Sequence, residues 1–451
     1  MKKVVFGTLG SVIVAGALIL NPYSMNLVNQ KFGEETAEAK LPYKRDLLFV
    51  SDKNTDGNLE TIVSEDMKNK DAKVKKAMKV NVKNKKDQVA VSSISEYEDL
   101  AYNVEEVKNN KKLQKELSKA LKNGAKVYLY GGVTFEEYKE LLGVKEVAIK
   151  KEGKKFRFGV DEKEMETKKG ELKDNPNALT SEDDFTYDVI GYTLDEKEHN
   201  QLMVSNISVS GESNKELPAT NDHYVQEILD STAETVDVEE QEYAASLESK
   251  GIFNWFKPEK ATASSKAVKS SPSRIYANAY WNKTKVGWTV TDWVLHRGVS
   301  DGDSKYDYFF VEDNTTISTA GGWRADKLKT DHDIPYSDDF IRDWDPGSST
   351  KGPYSISFSA PFGVSFGFNM SGDPNVKDIG SQQYDYGRWE VTNNHLITFG
   401  ISGARFKPHT SWRSEQADKY AIVDVQEWGS FSRSGIKASS HVKVRVSYSY
   451  K

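Results

Sequence analysis

The chain contains no cysteine. That excludes disulfides, thiol nucleophiles, cysteine zinc sites, iron–sulfur clusters and lipid attachment at a thiol. It also lacks a strong charge of either sign, since 62 Lys and Arg stand against 68 Asp and Glu. A formal net charge of −6 supplies no basic footprint, so a nucleic-acid partner is not expected. Beyond the N-terminus no apolar run approaches the ~18 residues of a helical span. No Walker loop and no H-E-x-x-H pattern occurs, and the seven histidines are scattered along the chain. Gly363-Val364-Ser365-Phe366-Gly367 matches G-x-S-x-G, but a nucleophile elbow needs a strand, a sharp turn and a helix. Here no helical pattern follows, so that chemistry is rejected.

What is present begins with an export pattern. Met1-Lys2-Lys3 is a basic start, and Val4 to Leu20 then runs 17 residues without a charge before Asn21-Pro22. That is the layout of a signal peptide. Ala37-Glu38-Ala39 places small residues where a signal peptidase reads, which makes residues 1–39 a signal peptide or, if uncleaved, an N-terminal membrane anchor. A secreted or cell-surface location is expected. An exported, Lys-rich chain without cysteine resembles the secreted proteins of Gram-positive bacteria.

The 451 residues suffice for about two or three domains. Composition changes near residue 260. Eight of nine Trp lie beyond it, and eight of eleven Arg lie from Ile275 onward. The first part is rich in Lys and Glu, as exposed helix faces are; the second is rich in aromatics, Ser, Thr and Gly, as strands and turns are. Residues 260–274 show no apolar periodicity and read as a flexible linker. The expected fold is therefore α/β plus all-β. An α/β domain with a mixed sheet occupies 40–160 and a mixed β/helical polar segment 161–259. An antiparallel β-sandwich or barrel occupies 275–451.

Local signals support the first domain. Leu47 to Val50, Val89 to Ile94 and Lys126 to Tyr130 read as strands. Leu113, Leu117, Ala120 and Leu121 share one helical face, and Gly124 ends that helix. Thr134-x-x-Glu137 is a capping box opening a helix from Phe135 to Leu142. Farther on, Phe185 to Leu194 and Leu202 to Val209 read as strands, and Asp222 to Ser249 as partly helical. Ile252-Phe253-x-Trp255-Phe256 is an isolated apolar cluster. The β patterns beyond it include Gly287 to Leu295, Tyr306 to Val311, Leu396 to Ile401, Tyr420 to Trp428 and Val442 to Tyr450. Trp323, Trp344, Trp389 and Trp412 stand beside turn or charged residues, which makes them candidates for exposure.

The most unusual segment is Tyr354 to Met370. Apolar residues occupy every even position of these 17, including Tyr354, Ile356, Phe358, Phe362, Val364, Phe366 and Phe368. The odd positions hold Ser, Gly, Asn and Pro361. Strand geometry puts the two sets on opposite faces. The run exceeds a usual strand of about five to six residues, and Pro361 requires an edge, a bulge or a fold there. The first expectation is a strand, or two, covering a sandwich core. The alternative is membrane insertion, because the alternation resembles the inserting strands of β-barrel pore-forming toxins.

Asp52-x-Asn54-x-Asp56-Gly57 resembles the start of a calcium loop. Position twelve is Val63 rather than Glu, so Asp52, Asn54 and Asp56 are kept only as candidate Ca2+ ligands, and no other cofactor is expected. For function, the absence of a catalytic motif favours a non-catalytic exported protein that binds an extracellular surface ligand or a cell-envelope component. The alternatives are a membrane-active, pore-forming-like β protein and a secreted hydrolase with an unrecognised carboxylate site.

Overall fold

The computed structural model describes residues 45–51, 59–70, 72–84, 94, 96–151, 154–158, 173, 185–195, 198, 200–250, 267–269, 273–298, 303–347, 350–351, 354–359, 365–370, 374–393, 405–415 and 420–450. The signal segment, Val89–Val91, the 252–256 cluster and Leu396–Ile401 fall outside them.

The first half builds a layer with parallel pairs. Strand Arg45–Ser51 lies parallel to Met78–Asn84 on one side and Asp99–Asn103 on the other. Asp99–Asn103 in turn pairs in parallel with Lys126–Val133. Parallel neighbours need crossover connections, and helices supply them here. Leu59–Asn69 and Ala72–Ala77 precede one strand, and Val104–Lys108 and Lys111–Lys122 link two others. Leu113, Leu117, Ala120 and Leu121 are all buried, as their helical spacing requires. Asn110 caps that helix and Gly124, at φ +97°, follows its end. The Thr134–Glu137 capping box is present in both directions, and Gly143 closes the helix in the left-handed region.

Tyr187–Tyr192 and Leu202–Ser210 extend the sheet antiparallel. Leu202–Ser210 then pairs in parallel with Ser273–Trp281, so the sheet continues across the change in composition. Within the stretch read as linker, Ala267–Lys269 pairs with His296–Gly298 and Ser273 opens a strand. Three residues are too few for a period-2 pattern to show. Residues 43–451 form one compact unit.

The helix Asn221–Lys250 covers the junction of the two halves. Val225, Ile228, Leu229, Ala233 and Val236 are its buried stripe. Glu227 on the same helix is buried too, and accepts hydrogen bonds from Tyr280 at 2.6 Å and Asn278 at 2.6 Å. Lys285 reaches Glu227 at 3.0 Å and Asp230 at 2.9 Å. Buried charge is tolerated because each carboxylate has several donors.

The second sheet is separate and antiparallel, with eight strands against fourteen in the first. It runs through Pro374–Asp378, Tyr386–Asn393, Arg324–Asp333, Tyr420–Arg433 and Ile436–Ser449. The fold class is thus mixed α/β plus antiparallel β, mostly β. Trp293, Phe309 and Trp412 from the first sheet share a core with Val423, Val425, Val442 and Val444 from the second. Trp412 stacks on Phe309 with ring centroids 5.5 Å apart. Trp389 and Trp412 are fully buried, whereas Trp323 and Trp344 are half-buried.

Candidate functional site: the alternating hairpin

The alternating run is not one long strand. Tyr354–Ser359 and Ser365–Met370 pair antiparallel as a two-stranded sheet of their own, belonging to neither large sheet. The chain therefore turns back between them, where Pro361 removes a backbone donor. Phe362 and Val364 lie in 360–364, outside the described residues.

Register decides what this hairpin presents. Tyr354 opposes Met370, Ile356 opposes Phe368 and Phe358 opposes Phe366. Ser355 opposes Asn369, Ser357 opposes Gly367 and Ser359 opposes Ser365. Directly opposed residues share a face. One face of the hairpin therefore carries six apolar positions, and the other six small neutral ones. A register slip by one residue would have mixed the two sets.

The hairpin is rooted in the second sheet. Thr350–Lys351 pairs with Asn375–Val376 at that sheet's edge, antiparallel and in the same sense. Counted along the sequence, the segments 350–359 and 365–376 that contain the root and hairpin strands are comparable in length to the ~9–11 residues of a membrane-crossing strand. The first charges met on leaving the uncharged run are Lys351 and Asp373.

A second constellation lies between the sheets. His332 Nε2 is 2.6 Å from Asp313 and its Nδ1 is 2.9 Å from the Thr410 hydroxyl. Asp, His and a hydroxyl in series have the order of a hydrolase triad. All three residues have no exposed surface, so no substrate reaches them. Beside them Glu427 accepts from Thr315 at 3.1 Å and Thr330 at 3.0 Å. Burial, and then the nearby Asp313, pushes the Glu427 carboxyl well above its usual range. This is an interior polar bridge between sheets.

The acidic residues around His332 separate by strand alternation. His332 faces the interior, while Asp331 and Asp333 are on the other side of their strand. There Arg388 reaches Asp331 at 3.0 Å, and Arg445 reaches Asp424 at 2.7 Å.

Of the other residues singled out in the sequence, Asp52, Asn54 and Asp56 lie outside the described residues. Among the described residues no group of three or more His, Asp or Glu could hold a metal ion. No helix among them is long and apolar enough to cross a membrane, which says nothing of strands. The Gly363–Gly367 motif runs into the strand Ser365–Met370, and the next described element is again a strand.

No protein-family model matches the chain, and no curated protein matches it. Solved structures similar over part of it include the following two. One, described as "Pore forming protein", has 9% identity and a TM-score of 0.25, over 39% of this chain and 86% of its own. The other, Clostridium perfringens delta-toxin, has 8% identity and a TM-score of 0.25, over 41% of this chain and 90% of its own. At that score neither likeness carries a conclusion about fold or function.

Proposed function

We propose that this is an exported, membrane-active β protein that acts by inserting the hairpin 354–370 into lipid. The observation that carries this reading is the register, which gathers the apolar positions of both arms on one face and leaves no charge in the run. A strand pair meeting lipid on one face and water on the other needs this alternation.

A single hairpin cannot cross a bilayer alone, because its two outer edges carry unpaired N–H and C=O groups. Hairpins from several copies closing into a barrel satisfy those groups. The apolar positions then face lipid, and the Ser, Gly and Asn positions face the lumen. Lys351 and Asp373 fall at headgroup level.

Dye release from liposomes tests this. The full chain is expected to release dye in a dose-dependent way. Phe358→Lys and Phe366→Lys place a charge on the lipid face, which costs about 2–4 kcal/mol near the midplane in each copy, and should abolish release. Ser357→Lys, on the opposite face, should keep it. A folded wild type that releases no dye at any dose overturns the proposal and returns the protein to surface-ligand binding. Equal loss in Ser357→Lys and Phe366→Lys would also overturn it.

A further inference from the structure

The hairpin leaves the sandwich at a definable end. Pro374 opposes Asn393, and Thr392 opposes Lys327. Moving from Val376 to Pro374 on the hairpin's return arm is therefore moving from Lys327 towards Arg324 on its neighbour-but-one. That end of the strand begins just after Trp323. Arg324 in turn opposes Ser432, next to the turn Ser434–Gly435. In the first sheet Gly287 opposes Thr319 and Trp281 opposes Thr284, which brings the turn after Trp281 to the same end.

Two tryptophans meet there. Trp281 and Trp323 come from different turns, are both half-buried, and have ring centroids 6.4 Å apart. They pack on the cluster that contains Val376, the residue opposing Thr350 in the hairpin root. Arg324, Arg433 and Lys437 around them are exposed. Arg324 pairs with Asp326 at 2.5 Å and Lys283, in the turn after Trp281, with Asp222 at 2.8 Å, while Glu216 is exposed opposite Ser210, the strand partner of Trp281. The Arg433 guanidinium lies over Gly322, where an added Cβ would come within 3.4 Å of its central carbon.

We infer that this end of the sandwich is a docking surface for an anionic lipid bilayer, with Trp281 and Trp323 seated at the headgroup level and Arg433 and Lys437 facing lipid phosphates. Half-buried indoles beside cations suit that layer, because the ring is amphipathic and the cations are drawn to anionic headgroups. The inference rests on the reading of the hairpin as the inserting element. It adds where the folded body stands on the membrane before insertion: on the end towards which the hairpin's root strands point.

Binding and leakage separate the two ideas. Full-length protein is mixed with phosphatidylcholine vesicles with and without phosphatidylserine, and both co-sedimentation and dye release are measured. Trp281→Ser with Trp323→Ser should lower partitioning about tenfold or more, and Arg433→Glu with Lys437→Glu should remove the preference for phosphatidylserine. The charge pair is exposed, so it keeps the test valid if the Trp pair unfolds, as checked by circular dichroism. Phe366→Lys should still co-sediment while releasing no dye. If the wild type releases dye and both tip variants bind as it does, the docking surface is wrong and the hairpin reading survives. If the wild type binds through the tip but never releases dye, the hairpin reading fails and the docking surface survives. A wild type that does not co-sediment with phosphatidylserine vesicles overturns the docking surface.

Discussion

The Trp344 indole nitrogen donates a hydrogen bond to the Asp378 carboxylate at 3.0 Å. Trp344 lies on Asp339–Asp345, at an edge of the larger sheet, and Asp378 ends Pro374–Asp378 in the second. One residue precedes the hairpin in the chain and the other follows it, so the bond closes the hairpin's base and joins the two sheets. Gly380 makes room for the ring, since an added Cβ would meet the indole nitrogen at 2.6 Å. The Trp389 indole helps by donating to the Pro346 carbonyl at 2.9 Å.

Loss of that bond should loosen the base of the hairpin. Trp344→Phe and Asp378→Ala are each expected to cost about 1–2 kcal/mol in urea unfolding. Because each removes the same contact, the double variant should cost less than the sum. Strict additivity would show that the bond does not contribute to stability.

The hairpin register can be trapped covalently in a chain that has no cysteine of its own. Ser357 and Gly367 are directly opposed, so Ser357→Cys with Gly367→Cys should form a disulfide on oxidation. Ser355→Cys with Gly367→Cys is displaced by two residues and should not. Mass spectrometry under non-reducing conditions distinguishes them. Cross-linking of the displaced pair alone would mean a register shifted by two residues, which keeps the two faces segregated but overturns the pairing of Phe358 with Phe366.

Packing between the sheets leaves Gly287 no room for a side chain. A Cβ there would come 2.2 Å from the Phe431 ring, which is itself buried. Gly287→Ala should destabilise the protein by about 1–3 kcal/mol through overpacking, read as a lower thermal midpoint. Gly287→Ala combined with Phe431→Leu should recover part of the loss. No recovery would show that the clash is not with Phe431.

Asp333 makes stability depend on pH. Burial first, and then Asp331 and Asp424, raises its carboxyl to about 8, with Lys443 and Arg388 acting in the opposite direction. The unfolded value is about 3.9, so between these pH values the folded chain holds a proton that the unfolded chain releases. The contribution is therefore present below about pH 4 and lost as pH rises towards 8, by at most about 1.4 kcal/mol per unit. Asp333→Asn keeps the neutral form at every pH. Urea titrations from pH 5 to 8 should show a flatter profile for the variant and higher stability at pH 8. A variant less stable than wild type at pH 8 would mean that the ionised carboxylate is the favoured form in the fold.

Local chemistry was legible in the sequence wherever one segment decides its own state. The capping box at Thr134 and Glu137 and the buried face of Lys111–Lys122 depend only on spacing within one helix. The fold class, α/β plus antiparallel β, was legible in composition and local patterns, although the first sheet runs across the change in composition. So was the segregation of apolar and small residues in Tyr354–Met370, because strand alternation depends on the backbone alone. Tertiary structure decided which strands became neighbours. Leu202–Ser210 finds Ser273–Trp281 across some sixty residues of chain, and no local pattern encodes that parallel pairing. It also decided that His332, one of the scattered histidines, meets Asp313 between two sheets, with Glu427 beside them. The fold of the alternating run on itself was decided there too. Its alternation is the same in one long strand and in two short ones; only the pairing of Phe358 with Phe366 puts the apolar positions of both arms on a single face.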